Sequence, residues 1–371
     1  MTDLQQQVQD YVDAAVDAGS ENGVQVAVYR HGRLEVDVVS GLADPAADIP
    51  VTPDTLFFSA STGKAVASTV AHVLVERGVF DYDTRLVEYW PEFGAHGKES
   101  ATLRHVLTHS VGVPALPRDI TVERLCDWEW MTAMVADAEP WWTPGERVGY
   151  HAGTFGFILG EFIRRATGKR ISQVLAEEVA GPLGVAHELY FGVPGDELER
   201  VARLEDDPMG KELFASLPDE FPLFTAAPRA IVPNAVYGNR LDVLTSDLPF
   251  QGTLSARAVA RMYAALLGEV DGVRLVSPER LVEISTVATS GHDDEMTTGP
   301  SVWSLGYCVG WPGTAAAEEH PTMFGMVGIG GSSAHANRAT GVSVAVTKNR
   351  FNPTEMNVVQ WVTELVEKEF S

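Results

Sequence analysis

Lysine, cysteine and positive charge are scarce in this chain, and it has no long hydrophobic run. Of 371 residues, 27 are Lys or Arg against 51 Asp or Glu, a formal charge of −24 with histidine neutral. Such a surface repels phosphate backbones and anionic lipids, so neither nucleic acid nor a membrane is an expected partner. Cys126 and Cys308 are too few for a disulfide scaffold or a four-thiolate zinc site, and are expected to be free thiols. The ten histidines include no His-Glu-x-x-His pair, so no metal is expected. No apolar run reaches the roughly 18 residues of a membrane span. The opening residues, Met1 to Asp10, have neither the basic start nor the apolar stretch of an export signal, which makes the cytoplasm the default expectation.

What is present is ordinary for a folded protein: 45% hydrophobic residues, in a length that suggests about two folding units. Residues 4–18 carry apolar positions at helical spacing. Val24–Arg30 and Arg33–Val39 are β-branched runs separated by His31-Gly32, the pattern of a tight hairpin. Thr55–Ser59 reads as a short strand and 61–77 as a buried helix stopped by Gly78. Helical signals then dominate, at 102–108, 121–137, 152–167, 171–180 and 255–267. Strands return at 304–310, 323–327 and 341–347, before a last helix over 356–369. This order predicts an α/β (α+β) fold in which residues 1–84 and 285–371 form a split domain and 85–284 an inserted helical domain. No repeat interrupts it.

Three stretches could carry chemistry. In Ser61-Thr-Gly-Lys64 the serine opens a helix, where free N–H groups and the positive dipole end lie, and Lys64 falls one turn on. A buried amine there could lose its proton and activate the serine. Alone, Ser-x-x-Lys is commonly a capping serine beside a surface lysine. Here Lys64 is one of only six lysines, with Lys98, Lys169, Lys211, Lys348 and Lys368, and it begins an otherwise apolar helix. Tyr150 follows the turn Pro144-Gly145 and Gly149; it reads as a core tyrosine or as a proton relay whose phenol is held down by cations. Phe324-Gly-Met-Val-Gly-Ile-Gly-Gly-Ser-Ser333 puts four glycines in a strand context, where the backbone approaches a ligand or another strand. An N–H there could form half of an oxyanion hole with that of Ser61.

Taken together, these stretches resemble the serine β-lactamase and penicillin-binding-protein superfamily, in the branch of class C β-lactamases and family VIII carboxylesterases. Leu107–Gly112, Gly181–Gly184 and Gly252–Leu267 also look like that branch, so the resemblance spans nearly the whole chain. It implies an antiparallel sheet flanked by helices, and a two-step acyl transfer without cofactor. Ser61 would be the nucleophile, and Tyr150, coupled to Lys64, would take its proton and pass it to the leaving alcohol. The N–H groups of Ser61 and Ile329 would hold the oxyanion, with Met326-Val327-Gly328 as the third, substrate-binding motif. Two departures matter. The second motif usually has Asn two residues after its tyrosine, where this chain has Ala152. The third usually begins with Lys, or with His or Trp in esterases, where this chain has Met326.

A missing cation removes the anchor for a substrate carboxylate, so penicillins and D-amino peptides are poor substrates on this reading. The expected function is a carboxylesterase acting on a neutral small-molecule ester, with Trp128, Trp130, Trp141, Trp142, Trp303 and Trp311 available to line a cleft. Two alternatives stand beside it: an acyltransferase of the same fold that passes the acyl group to an alcohol or amine, and a non-catalytic binding scaffold.

Overall fold

The computed structural model describes residues 3–297 and 299–370. Seven antiparallel strands form its main sheet: β1 (Gly23–Arg30), β2 (Arg33–Asp44), β3 (Ile49–Pro50), β4 (Cys308–Val309), β5 (Met323–Val327), β6 (Ser333–Asn337) and β7 (Val342–Lys348). Their order is β3-β2-β1-β7-β6-β5-β4, so strands from the two ends of the chain meet where β1 pairs with β7. His31 (φ 47°) and Gly32 (φ 79°) make the hairpin turn that joins β1 to β2.

The sheet's two faces follow from strict alternation along the strands. Val24, Val26, Val28, Val36, Val38, Val342, Val344 and Val346 point to one face, covered by α1 (Leu4–Asp17) and α6 (Asn357–Phe370). Helix α1 has no side-chain cap at its start. It is held instead by burial of Leu4, Val8 and Val12, which contributes about 1.5–3 kcal/mol per fully buried side chain. Ala27, Tyr29, Ala334, Ala336 and Ala345 face the other way, into the larger core. There α5 (Ala256–Leu267), capped by the Ser255 hydroxyl, packs on β1, β6 and β7. The sequence boundaries put this helix in the inserted lobe. Its small buried residues, Ala256, Ala258, Ala260, Ala264 and Ala265, let it lie close against the strands, so its packing is with the sheet.

Helix α2 (Thr62–Glu76) is buried nearly all round and packs both on α4 (Thr154–Thr167) of the helical lobe and on β5. Two expected elements are interrupted. The helix expected over 121–137 breaks where Asp127 caps a new start, giving Val122–Leu125 and α3 (Trp128–Asp137). The strand expected over 304–310 narrows to β4, since 304–306 turns back on itself, with Gly306 at φ 87°. Phe57–Phe58 lies within the strand expected at 55–59 and pairs with Thr253–Leu254, outside the main sheet.

Candidate active site

Ser61 stands at a corner fixed from several sides. Ala60 before it is held at φ 44°, a left-handed conformation costing about 1–3 kcal/mol in a residue with a Cβ. Its carbonyl accepts the N–H groups of Gly63 and Gly252 (both 3.1 Å), and the Ser59 N–H donates to the Gly252 carbonyl (2.7 Å). Gly63 is required for this contact, because a Cβ there would lie 2.1 Å from the Gln251 carbonyl carbon. The nucleophile's turn is thus clamped to residues 250–252.

Lys64, fully buried in the first turn of α2, donates from Nζ to Ser61 Oγ (3.1 Å) and to the Phe250 carbonyl (3.0 Å). Among the described residues no carboxylate pairs with it, and burial alone lowers its pKa to about 7. Two other lysines are buried too, for different reasons. Lys98 donates to three backbone carbonyls and Lys348 pairs with Glu21, so scarcity and burial alone did not single out Lys64.

The Tyr150 hydroxyl donates to Ser61 Oγ at 2.9 Å, from a loop held by His109. The His109 carbonyl accepts the Gly149 N–H (3.0 Å) and its Nδ1 accepts the His151 N–H (3.1 Å). His151 in turn accepts the Val113 N–H at Nε2 and faces the Gly149 carbonyl through Nδ1 (2.6 Å), a pattern satisfied by a neutral ring protonated on Nδ1. Burial lowers the pKa of His151 to about 4 and that of His109 well below the usual histidine range. Asp294 takes the Tyr150 N–H (3.1 Å). Neither His109 nor Asp294 was assigned a part by sequence reasoning, although His109 lies in the noted stretch Leu107–Gly112.

Above Ser61 opens a cleft of about 320 Å³, lined by Ala152, Leu223, Ala227, Ile231, Val232, Met326, Val327 and Ile329 among others. Lys64 is the only lysine or arginine in its described lining. Of the six tryptophans proposed as lining, Trp303 and Trp311 reach it. Trp128 and Trp142 turn their indole N–H groups to Glu161 and to the Ser110 carbonyl instead. The glycine-rich stretch explains itself at Gly328, where a Cβ would sit 2.2 Å from the Ser59 carbonyl oxygen. That close approach brings the end of β5 against the nucleophile's turn. Among the described residues, the N–H groups of Ser61 and Ile329 donate to no partner, and both residues border the cleft.

The surroundings of Tyr150 bear on its expected role. Tyr150 was expected to take the serine proton with cations holding its phenol down. Burial, with smaller contributions from Cys308 and Asp294, pushes it upward, beyond the ordinary phenol range. Of the two groups, Lys64 has its pKa nearer neutrality.

A family model described as beta-lactamase matches residues 8–366. The chain is 34% identical to the esterase/beta-lactamase LipL of Mycobacterium tuberculosis, over 88% of this chain and 77% of that protein. It is 27% identical to the esterase EstB of Burkholderia gladioli, over 88% and 86%. The crystal structure of a family VIII carboxylesterase superposes with a TM-score of 0.87 at 30% identity, covering 98% of this chain and 97% of that one. With its antiparallel sheet, its flanking helices and Ser61 at the start of α2, the chain belongs to the beta-lactamase family and is a serine hydrolase of that family.

Proposed function

We propose that the protein is a carboxylesterase acting on neutral, largely apolar esters through an acyl-enzyme on Ser61. The observation that carries this reading is the floor of the cleft: Ser61 Oγ has a buried amine at 3.1 Å and a phenol at 2.9 Å, beneath walls that are otherwise mainly apolar. Neutral Lys64 takes the Ser61 proton as Oγ attacks the ester carbonyl. The oxyanion is received by the N–H groups of Ser61 and Ile329. The C–O bond to the alcohol then breaks, Tyr150 gives its proton to the departing alkoxide, and the proton held on Lys64 restores the phenol. Water attacks the acyl-enzyme along the same proton route and releases the acid.

The relatives named as esterases support this choice of substrate. Ala152 and Met326, standing where amide and lysine groups are usual, weigh against β-lactams and peptide carboxylates. The test is covalent labelling with a fluorophosphonate or an activated short-chain ester, read by mass spectrometry. An adduct on Ser61 that is absent from Ser61→Ala is expected; no adduct on the wild type, or an equal one on the variant, overturns the reading. Repeating turnover with added alcohol or amine separates hydrolysis from acyl transfer by the masses of the products.

A further inference from the structure

Asp294 lies outside all three motifs, yet it is 1% exposed and sits behind the reacting groups. Its Oδ1 accepts the N–H groups of Tyr150 (3.1 Å), Met296 (2.9 Å) and Thr297 (3.1 Å), and its Oδ2 accepts the Trp303 indole N–H (3.2 Å). The Trp303 ring lies parallel to that of Tyr150, with centroids 5.4 Å apart and an interplanar angle of 0°. Next to it, the Glu295 N–H donates to the Val148 carbonyl (2.9 Å), which fastens this loop to the chain entering Tyr150. One carboxylate therefore holds Tyr150 twice, at its backbone N–H and, through the indole, at its ring. Among the described residues no lysine or arginine pairs with Asp294, so four N–H donors alone compensate a buried charge, a costly arrangement for packing alone.

We infer that Asp294 is a positioning residue for acyl transfer, holding the Tyr150 phenol against Ser61 Oγ so that Tyr150 acts as proton donor and Lys64 alone as base. The inference rests on the esterase reading above. Local charge acts in the same direction. The groups facing Tyr150 are Lys64, with Nζ 5.0 Å from the ring centre, His109 at 5.0 Å, Cys308 and Asp294. Burial keeps His109 and the adjoining His151 neutral and pushes the Cys308 thiol up to about 12. Burial is the main reason the phenol keeps its proton, and the Asp294 carboxylate adds to it in the same direction.

Asp294→Asn keeps the size and removes the charge. With a neutral activated ester, its kcat is expected to fall by about 10- to 100-fold while KM stays within about threefold, the pattern of a misplaced reacting group. The limb of its rate profile near pH 7 stays in place. Trp303→Phe keeps the ring plane without the indole N–H, and Trp303→Leu loses both, so kcat should fall in the order wild type, Phe, Leu. These two variants carry the test if Asp294→Asn does not fold. Wild-type kcat in Asp294→Asn, or equal kcat in both Trp303 variants, overturns the inference while the esterase reading stands. A wild type that forms no acyl adduct overturns both.

Discussion

The acid limb of the rate profile is where the structure is most exposed to refutation. If neutral Lys64 is the base, only its deprotonated fraction works, so activity is present above its pKa and lost as pH falls through it. An ordinary lysine, at 10.5, would be almost wholly protonated throughout the neutral range, and the rate would climb about tenfold per pH unit without levelling. Burial lowers Lys64 to about 7. The neutral fraction is then about a tenth at pH 6, a half at pH 7 and nine tenths at pH 8, so kcat/KM should rise about tenfold between pH 6 and 8 and then level. The cause is desolvation rather than neighbouring charge, so moving from 0.05 to 0.5 M salt should leave the midpoint in place. The assay is the initial rate on a neutral ester from pH 5.5 to 9 at fixed ionic strength. A climb of slope one that persists to pH 9, or a flat profile, would refute Lys64 as a base tuned by burial.

Two substitutions test the walls. Gly328→Ala places a methyl group 2.2 Å from the Ser59 carbonyl oxygen, so β5 must move off the nucleophile's turn. We expect kcat to fall by about 100-fold or more and the melting temperature by about 2–5 °C, measured by steady-state kinetics and thermal unfolding. Met326→Lys restores a cation to an apolar wall. The ratio of kcat/KM for an ester bearing a free carboxylate to that for its methyl ester should rise by about tenfold or more, and an unchanged ratio would mean that this side chain does not meet the substrate.

The hairpin, α2 and the pairing of terminal strands were legible in the sequence because each follows a clear period or turn signal. Strand β6 was not. Ser333, His335 and Asn337 alternate with alanines, and their polar side chains are buried: His335 faces Thr363 and Asn337 donates to Glu367, both on α6. An apolar pattern cannot reveal a strand face made of buried polar groups. Within the site, Ser61 and Lys64 stood out by their spacing and Tyr150 through the family resemblance, and the structure brings them together. That burial raises the Tyr150 phenol is not written in the motif, because it depends on packing from distant segments. Asp294 was missed because its contact with Tyr150 spans 144 positions and no local pattern marks it.

The nucleophile's turn also governs how this chain could be recombined with others. Residues 59–64, 250–252 and 328 interlock through three contacts too close for an extra methyl group or a shifted backbone: Gly63 on Gln251, Ser59 and Ala60 on Gly252, and Gly328 on Ser59. Helix α2, which extends from that turn, packs on α4 and on β5 at once. The sheet and the helices of the middle of the chain are therefore not exchangeable modules. A chimera that takes the helical lobe from one relative and the sheet from another would split a single lock between two parents, and viable crossovers should keep all three stretches from the same one.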